Sequence, residues 1–271
     1  MHLAKPMILR QGQAMDVQAL LSLYDANVRA NPAPRPGRTV VREDGVVWLA
    51  GAFNFVNWWD FSASDAETVV ARYAASFRSK GEALIWRVHD HDQPSVLPDL
   101  LAAAGFRANP PGTLMFLDLE RQLPPSTLPG AEVRRVADLA GLDDFVAAAN
   151  KAFGDTQASD RRDAYAAHLD RHDVALFVAY VAGEPVASAR LETAPGQAFG
   201  QLYGGGVAPS HRGVGAYRAL VAARVSAARA QGLRFLSTEA RETSRPILQH
   251  LGFIPAVGET TWVLSPEFDP P

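Results

Sequence analysis

The chain has 271 residues, enough for one large domain or two ordinary ones. Its formal net charge of -3 leaves no global basic field to gather nucleic acid or an anionic membrane. With no cysteine, a disulfide framework, a thiolate nucleophile and a cysteine-bound metal are excluded. The N-terminus lacks an apolar run behind a basic start, and no stretch approaches the ~20 apolar residues of a membrane span. The expectation is a cytoplasmic globular protein with no nucleic-acid or membrane partner.

In chain order, Ala66–Lys80 reads as a helix capped by Gly81, and residues 83–88 as a strand. Residues 95–104 read as a helix ending in Gly105-Phe106. The run from Leu123 to Gly130 holds three prolines and a glycine, which neither a helix nor a central strand tolerates. It is expected to be a linker at 124–130 between units 1–123 and 131–271. Leu139–Phe153 and residues 160–169 then read as helices. Val174–Val181 is rich in β-formers, Gly183-Glu184-Pro185 marks a turn, and residues 186–192 form its hairpin partner. Phe199–Val207 is a third strand, in which Gly204, Gly205 and Gly206 point to a bulge. Residues 214–231 carry helical apolar spacing and end before Gly232. A strand at 234–238 and a short helix at 244–251, closed by Gly252-Phe253, complete the order.

The sequence helix, Gly, strand, helix, Gly-Phe thus occurs twice. That internal repeat implies two copies of one fold, each an α/β (α+β) arrangement with a mixed, mostly antiparallel sheet flanked by helices.

The chemistry concentrates in Val207-Ala208-Pro209-Ser210-His211-Arg212-Gly213-Val214-Gly215-Ala216-Tyr217. A strand ends there and Arg212-Gly213-Val214-Gly215 opens a long helix. The first four N–H groups of a helix lack internal partners, and the helix dipole adds about +0.5 charge, so phosphate is attracted. Glycines admit close approach of an anion, and Arg212 adds a cation. Neither the G-x-G-x-x-G of a dinucleotide fold nor the G-K-[ST] of a P-loop is present.

This element, followed by helix, strand and a short helix ending in Gly252-Phe253, resembles the GNAT superfamily of acyl-CoA N-acyltransferases. The likeness covers most of residues 132–264. The first half resembles the same fold in outline, as in tandem members. The resemblance implies acetyl-CoA as co-substrate and direct transfer of its acetyl group to an amine. It implies backbone contacts to the pantetheine near Val207 and Ala208. It also implies pyrophosphate contacts from Arg212, Gly213, Val214, Gly215, Ala216 and Tyr217, with Ser244 joining the coenzyme-binding set. The family usually has a small residue where Tyr217 stands, so its ring is expected to turn toward the core. The acid common in the family, a Tyr four residues before the final glycine, is Leu248 here. The carboxylate common on the strand before the loop is missing from Phe199–Val207. Tyr203 and Glu239 are the favoured catalytic candidates and His250 a third. A non-catalytic acyl-CoA-binding sensor is the alternative.

Other residues are read more plainly. His89-Asp90-His91-Asp92 could chelate, but a polar loop is favoured and no metal is expected. Trp48, Trp58 and Trp59 are favoured as core or interface over an acceptor wall. Residues 54–62 of the first half hold Asp60 and no Arg-Gly-x-Gly, so no coenzyme is expected there. The acceptor amine, small molecule or peptide, is not specified, and a homodimer is left open.

Overall fold

Alternating and continuous apolar runs give twelve strands among the described residues, and they join in one sheet. The computed structural model describes residues 16–35, 37–121, 131–154, 162–163 and 165–265. The expected linker lies outside them. Of the helix expected at 160–169, residues 162–163 and 165–166 are described and helical.

The first half begins with α1 (Val17–Tyr24), capped by the Asp16 carboxylate, which accepts from the amides of Gln18 and Ala19. A π-helical turn, Asp25–Arg29, continues it. The strands β1 (Arg38–Glu43), β2 (Val46–Gly51) and β3 (Asn54–Trp59) follow, then α2 (Ala66–Lys80), β4 (Leu84–His89), α3 (Leu97–Ala103), β5 (Arg107–Ala108) and β6 (Gly112–Asp118). The second half comprises β7 (Ala131–Arg135), α4 (Leu139–Phe153), β8 (Val174–Val181), β9 (Glu184–Glu192) and β10 (Phe199–Val207). After these come α5 (Ala216–Ala230), β11 (Phe235–Ala240), α6 (Arg245–His250) and β12 (Ile254–Leu264). The repeated order is present: α2, Gly81, β4 and α3 match α5, Gly232, β11 and α6.

The closing strands change places. The sheet runs β1-β2-β3-β4-β12-β6-β11-β10-β9-β8-β7, with β5 pairing β12 at the side. So β6, from the first half, pairs antiparallel with β11, placing Phe116 opposite Ser237. The last strand, β12, sits between β6 and β4 and places Trp262 opposite Trp86. A continuous apolar run suits a strand covered on both faces. Leu114, Met115, Phe116 and Leu117 of β6 are all buried, which fits its central place.

Packing crosses the same line. Leu20, Leu21, Tyr24 and Val28 of the first half form one cluster with Phe199 and Phe235 of the second. Trp86 belongs to a separate cluster with Trp59, Tyr73 and Phe106, which Leu264 of β12 joins. On the other side, α5 and α6 lay Leu220, Val221, Val225 and Leu248 onto the sheet. The first-half segment that includes α1 therefore forms a wall over second-half strands.

Candidate active site

Strands β10 and β11 are parallel and paired only from Phe199 opposite Phe235 to Leu202 opposite Thr238. Beyond that point they separate. Against β9, the β10 register slips between Tyr203 and Gly206, a bulge that bends the strand. Gly204 takes φ of 58°, which few side chains tolerate. At Gly206 a Cβ would stand 2.5 Å from the Phe153 ring, so the end of α4 packs against bare backbone. The separation opens a cavity of about 260 Å³, lined by Gly204, Gly205, Tyr217, Arg224, Glu239 and Ser244, among others.

At the mouth of this strand, the Ala208 amide donates to the Val186 carbonyl over 2.8 Å, so an amide bond to a ligand would fall to its neighbours. Pro209–His211 form one 3-10 turn, Arg212 is extended, and Gly213 and Gly215 take φ of 82° and 87°. Gly215 begins α5 without any side-chain cap. Arg212 is exposed where the loop meets the first turn of α5, whose N–H groups lack partners within the helix.

Residues 142–253 match the model of the Acetyltransferase (GNAT) family. This stretch is a GNAT-family domain. The whole chain is similar in fold to a GCN5-related N-acetyltransferase from Kribbella flavida, at 18% identity and a TM-score of 0.61. That match covers 91% of this chain and 93% of that one. It is also similar to a tandem GNAT protein of the clavulanic acid biosynthesis pathway. There the identity is 16% and the TM-score 0.59, with 94% and 96% covered. A conserved protein from Staphylococcus epidermidis, described as functionally unknown, matches at 12% identity and a TM-score of 0.61, with 89% and 97% covered. A search of curated proteins found no match.

In this GNAT domain, Tyr203 and Glu239 line the 260 Å³ cavity and also a second one of about 170 Å³. The second cavity lies between the halves, bounded by Val28, Arg35, Arg38 and Phe55 on one side and by Arg190 and Gln201 on the other. Arg87 reaches from β4 to bond Glu239 at 2.7 Å and stands 3.6 Å from Glu259. Burial raises the Glu239 pKa to about 7; Arg87 opposes the rise and Glu259 adds to it. Burial also raises Tyr203, against the pull of Arg87. The Arg190 guanidinium lies 5.1 Å from the centre of the Tyr203 ring.

Tyr217 and Ser244 meet in the first cavity. The Tyr217 ring packs partly into the core, as expected; burial raises its pKa, while Arg224 and Ser244 oppose the rise. Arg224 was not singled out from the sequence. It is 2% exposed, donates Nε to the Leu220 carbonyl at 3.1 Å, and has no carboxylate partner among the described residues. Burial lowers its pKa to about 10, with Tyr217 opposing. A signal was available: Arg224 interrupts the apolar face Leu220, Val221, Val225 and Ala228 of α5. A cation at such a position must find polar partners.

Leu248 sits in the core and offers no proton, while His250 is exposed on the last turn of α6, away from both cavities. His89, His91 and Asp92 do come together. However, both Asp92 oxygens accept from Arg29, at 2.8 and 2.7 Å, and His91 Nε2 lies 2.7 Å from Asp25. A metal there would compete with a guanidinium already in place.

The first half has its own pair of parallel strands, β3 and β4, paired from Asn54 to Val56. Here the gap is filled. Trp59 donates Nε1 to the Gln93 carbonyl at 2.6 Å and packs on Trp86 at 5.7 Å. Arg29 covers Trp58 at 5.0 Å, while Trp48 meets Phe77 edge-on. The N-terminus of α2 is flanked by Asp60, Asp65 and Glu67, which disfavour an anion.

Proposed function

We propose that the chain transfers the acetyl group of acetyl-CoA directly to an amine. The observation that carries this reading is that Tyr203 and Glu239 form a wall common to two cavities, one where β10 and β11 separate, reaching Tyr217 on the first turn of α5, and one between the halves. The pyrophosphate is held by Arg212 and the amides of Gly213 to Tyr217, with the thioester in the 260 Å³ cavity beside Gly204 and Gly205. The amine enters from the 170 Å³ cavity.

A protonated alkylamine with pKa of about 10.4 costs roughly 4–5 kcal/mol to neutralise at pH 7. Glu239 takes that proton, since its pKa of about 7 suits a base at neutral pH. The amine nitrogen bonds to the thioester carbonyl carbon, the C–S bond breaks, and the nitrogen's second proton leaves to solvent, from which the acid that protonates the thiolate is restored. The coenzyme A thiolate receives its proton from Tyr217, whose hydroxyl is oriented by Arg224 and Ser244. Tyr217 thus takes the role that Leu248 cannot fill. The first half is a second copy of the fold that has given up its anion loop and walls the acceptor site.

Calorimetric titration with acetyl-CoA, followed by a thiol-release assay with a panel of amines, tests the reading. One micromolar-range site per chain and turnover of at least one amine are expected. Binding without any turnover would leave a sensor, and no binding would end the coenzyme reading.

A further inference from the structure

The cavity between the halves is rich in guanidinium groups. Arg35, Arg38, Arg87 and Arg190 line it, and Glu239 is its one lining carboxylate among the described residues. Counting the acids these arginines touch does not balance the charge. Arg35 and Arg190 share one buried carboxylate, Glu192. Arg87 is divided between Glu239 and Glu259. Asp25 and Asp92 are committed to Arg29. Arg38 is left with no carboxylate within salt-bridge distance among the described residues, and it rests on the Phe55 ring at 5.7 Å.

The polar amides nearby are committed too. Gln197 Nε2 donates to the Asn27 carbonyl, and Asn57 donates to the carbonyls of Val28 and Arg29. The lining cation without a carboxylate at salt-bridge distance is therefore Arg38, which shares the Phe55 ring with Arg87. A purely cationic amine would meet four guanidinium groups offset by three carboxylates, Glu192, Glu239 and Glu259, which leaves one positive charge in excess. An amine that brings its own carboxylate would cancel its charge, and arginine's planar fork matches a carboxylate in two parallel bonds. The cavity of about 170 Å³ admits only a small molecule.

We infer that the acceptor is a small amine carrying a carboxylate, a free α- or ω-amino acid, whose carboxylate is held by Arg38 and whose nitrogen faces Tyr203 and Glu239. This rests on the acyl-transfer reading above. The net charge of -3 over the whole chain does not bear on this, because charge at the cavity is local and opposite in sign.

The test uses the full chain with acetyl-CoA and matched amine pairs, 4-aminobutyrate against butylamine and alanine against ethylamine. Release of coenzyme A thiol is followed, and acetyl-CoA binding is measured separately by calorimetry. The carboxylate-bearing member of a pair should show at least a tenfold higher kcat/KM. Arg38→Ala should raise its KM at least tenfold with acetyl-CoA affinity unchanged, and Arg38→Lys should recover part of the loss. Acetyl-CoA binding with equal or better turnover of butylamine and ethylamine would overturn the inference alone. So would preference for an amine bearing a phosphate instead, or an unchanged KM in Arg38→Ala. Absence of acetyl-CoA binding would overturn the acyl-transfer reading and this inference with it.

Discussion

Arg87 of the first half and Glu239 of the second are bonded at 2.7 Å, although two strands, β12 and β6, separate their backbones in the sheet. The favoured base of the second half is thus held by a side chain of the first. Burial and Glu259 raise the Glu239 pKa, and Arg87 limits the rise. The pH behaviour of the site depends on both halves.

Glu239→Gln should lower kcat about 10²–10⁴-fold, the range of a general base. A base works only when deprotonated, so wild-type kcat/KM should fall as pH drops through about 7 and level off above about 8. The variant should lose that limb and bind acetyl-CoA within twofold of wild type. A pH–rate series on both proteins checks this, and a limb that persists in the variant would assign it to another group.

Arg87→Met removes the nearest cation while keeping most of the side-chain volume. Since Arg87 favours the charged carboxylate, its loss should move the acid limb to higher pH by at least half a unit. The same pH–rate series reads the shift, and a move to lower pH would contradict the assignment.

Arg212→Glu places a like charge against the pyrophosphate. A charge-assisted bond contributes about 1.5–3 kcal/mol net, so its loss should weaken acetyl-CoA binding by roughly 10- to 150-fold. Calorimetry checks it, with unchanged thermal melting showing that the exposed substitution leaves the fold intact.

Gly206→Ala introduces a Cβ 2.5 Å from the Phe153 ring and 2.8 Å from the Ala152 methyl. Overpacking of this kind costs about 1–3 kcal/mol. Either α4 or the bulge must shift, so a fall of several degrees in Tm is expected by calorimetric melting.

Residues 131–271 expressed alone would leave β11 without β6 and β12 without β4. Open edges of this kind pair with other chains. The fragment should associate or stay unfolded, as read by sedimentation and circular dichroism, and adding residues 1–123 should restore a defined species.

The sequence by itself determined the elements and their order along the chain. Ala66–Lys80, Leu139–Phe153, Val174–Val181 and Phe199–Val207 begin and end where spacing, caps and turn residues place them. Such features are local, set by neighbours three or four positions apart in helices and by alternation in strands. The bulge at Gly204 and the bare approach at Gly206 were legible as glycines, and the loop proposed to hold the anion as Arg212-Gly213-Val214-Gly215. Only the tertiary structure decided the exchange of β6 and β12, because strand order depends on which edges bury apolar faces across more than a hundred residues. The same long-range packing joined Arg87 to Glu239 and sank Arg224 beneath Tyr217. It also gathered Arg35, Arg38 and Arg190 around one cavity while the chain as a whole is mildly acidic. Charges far apart in sequence meet at a site only when the fold brings their strands together, and no local pattern encodes that.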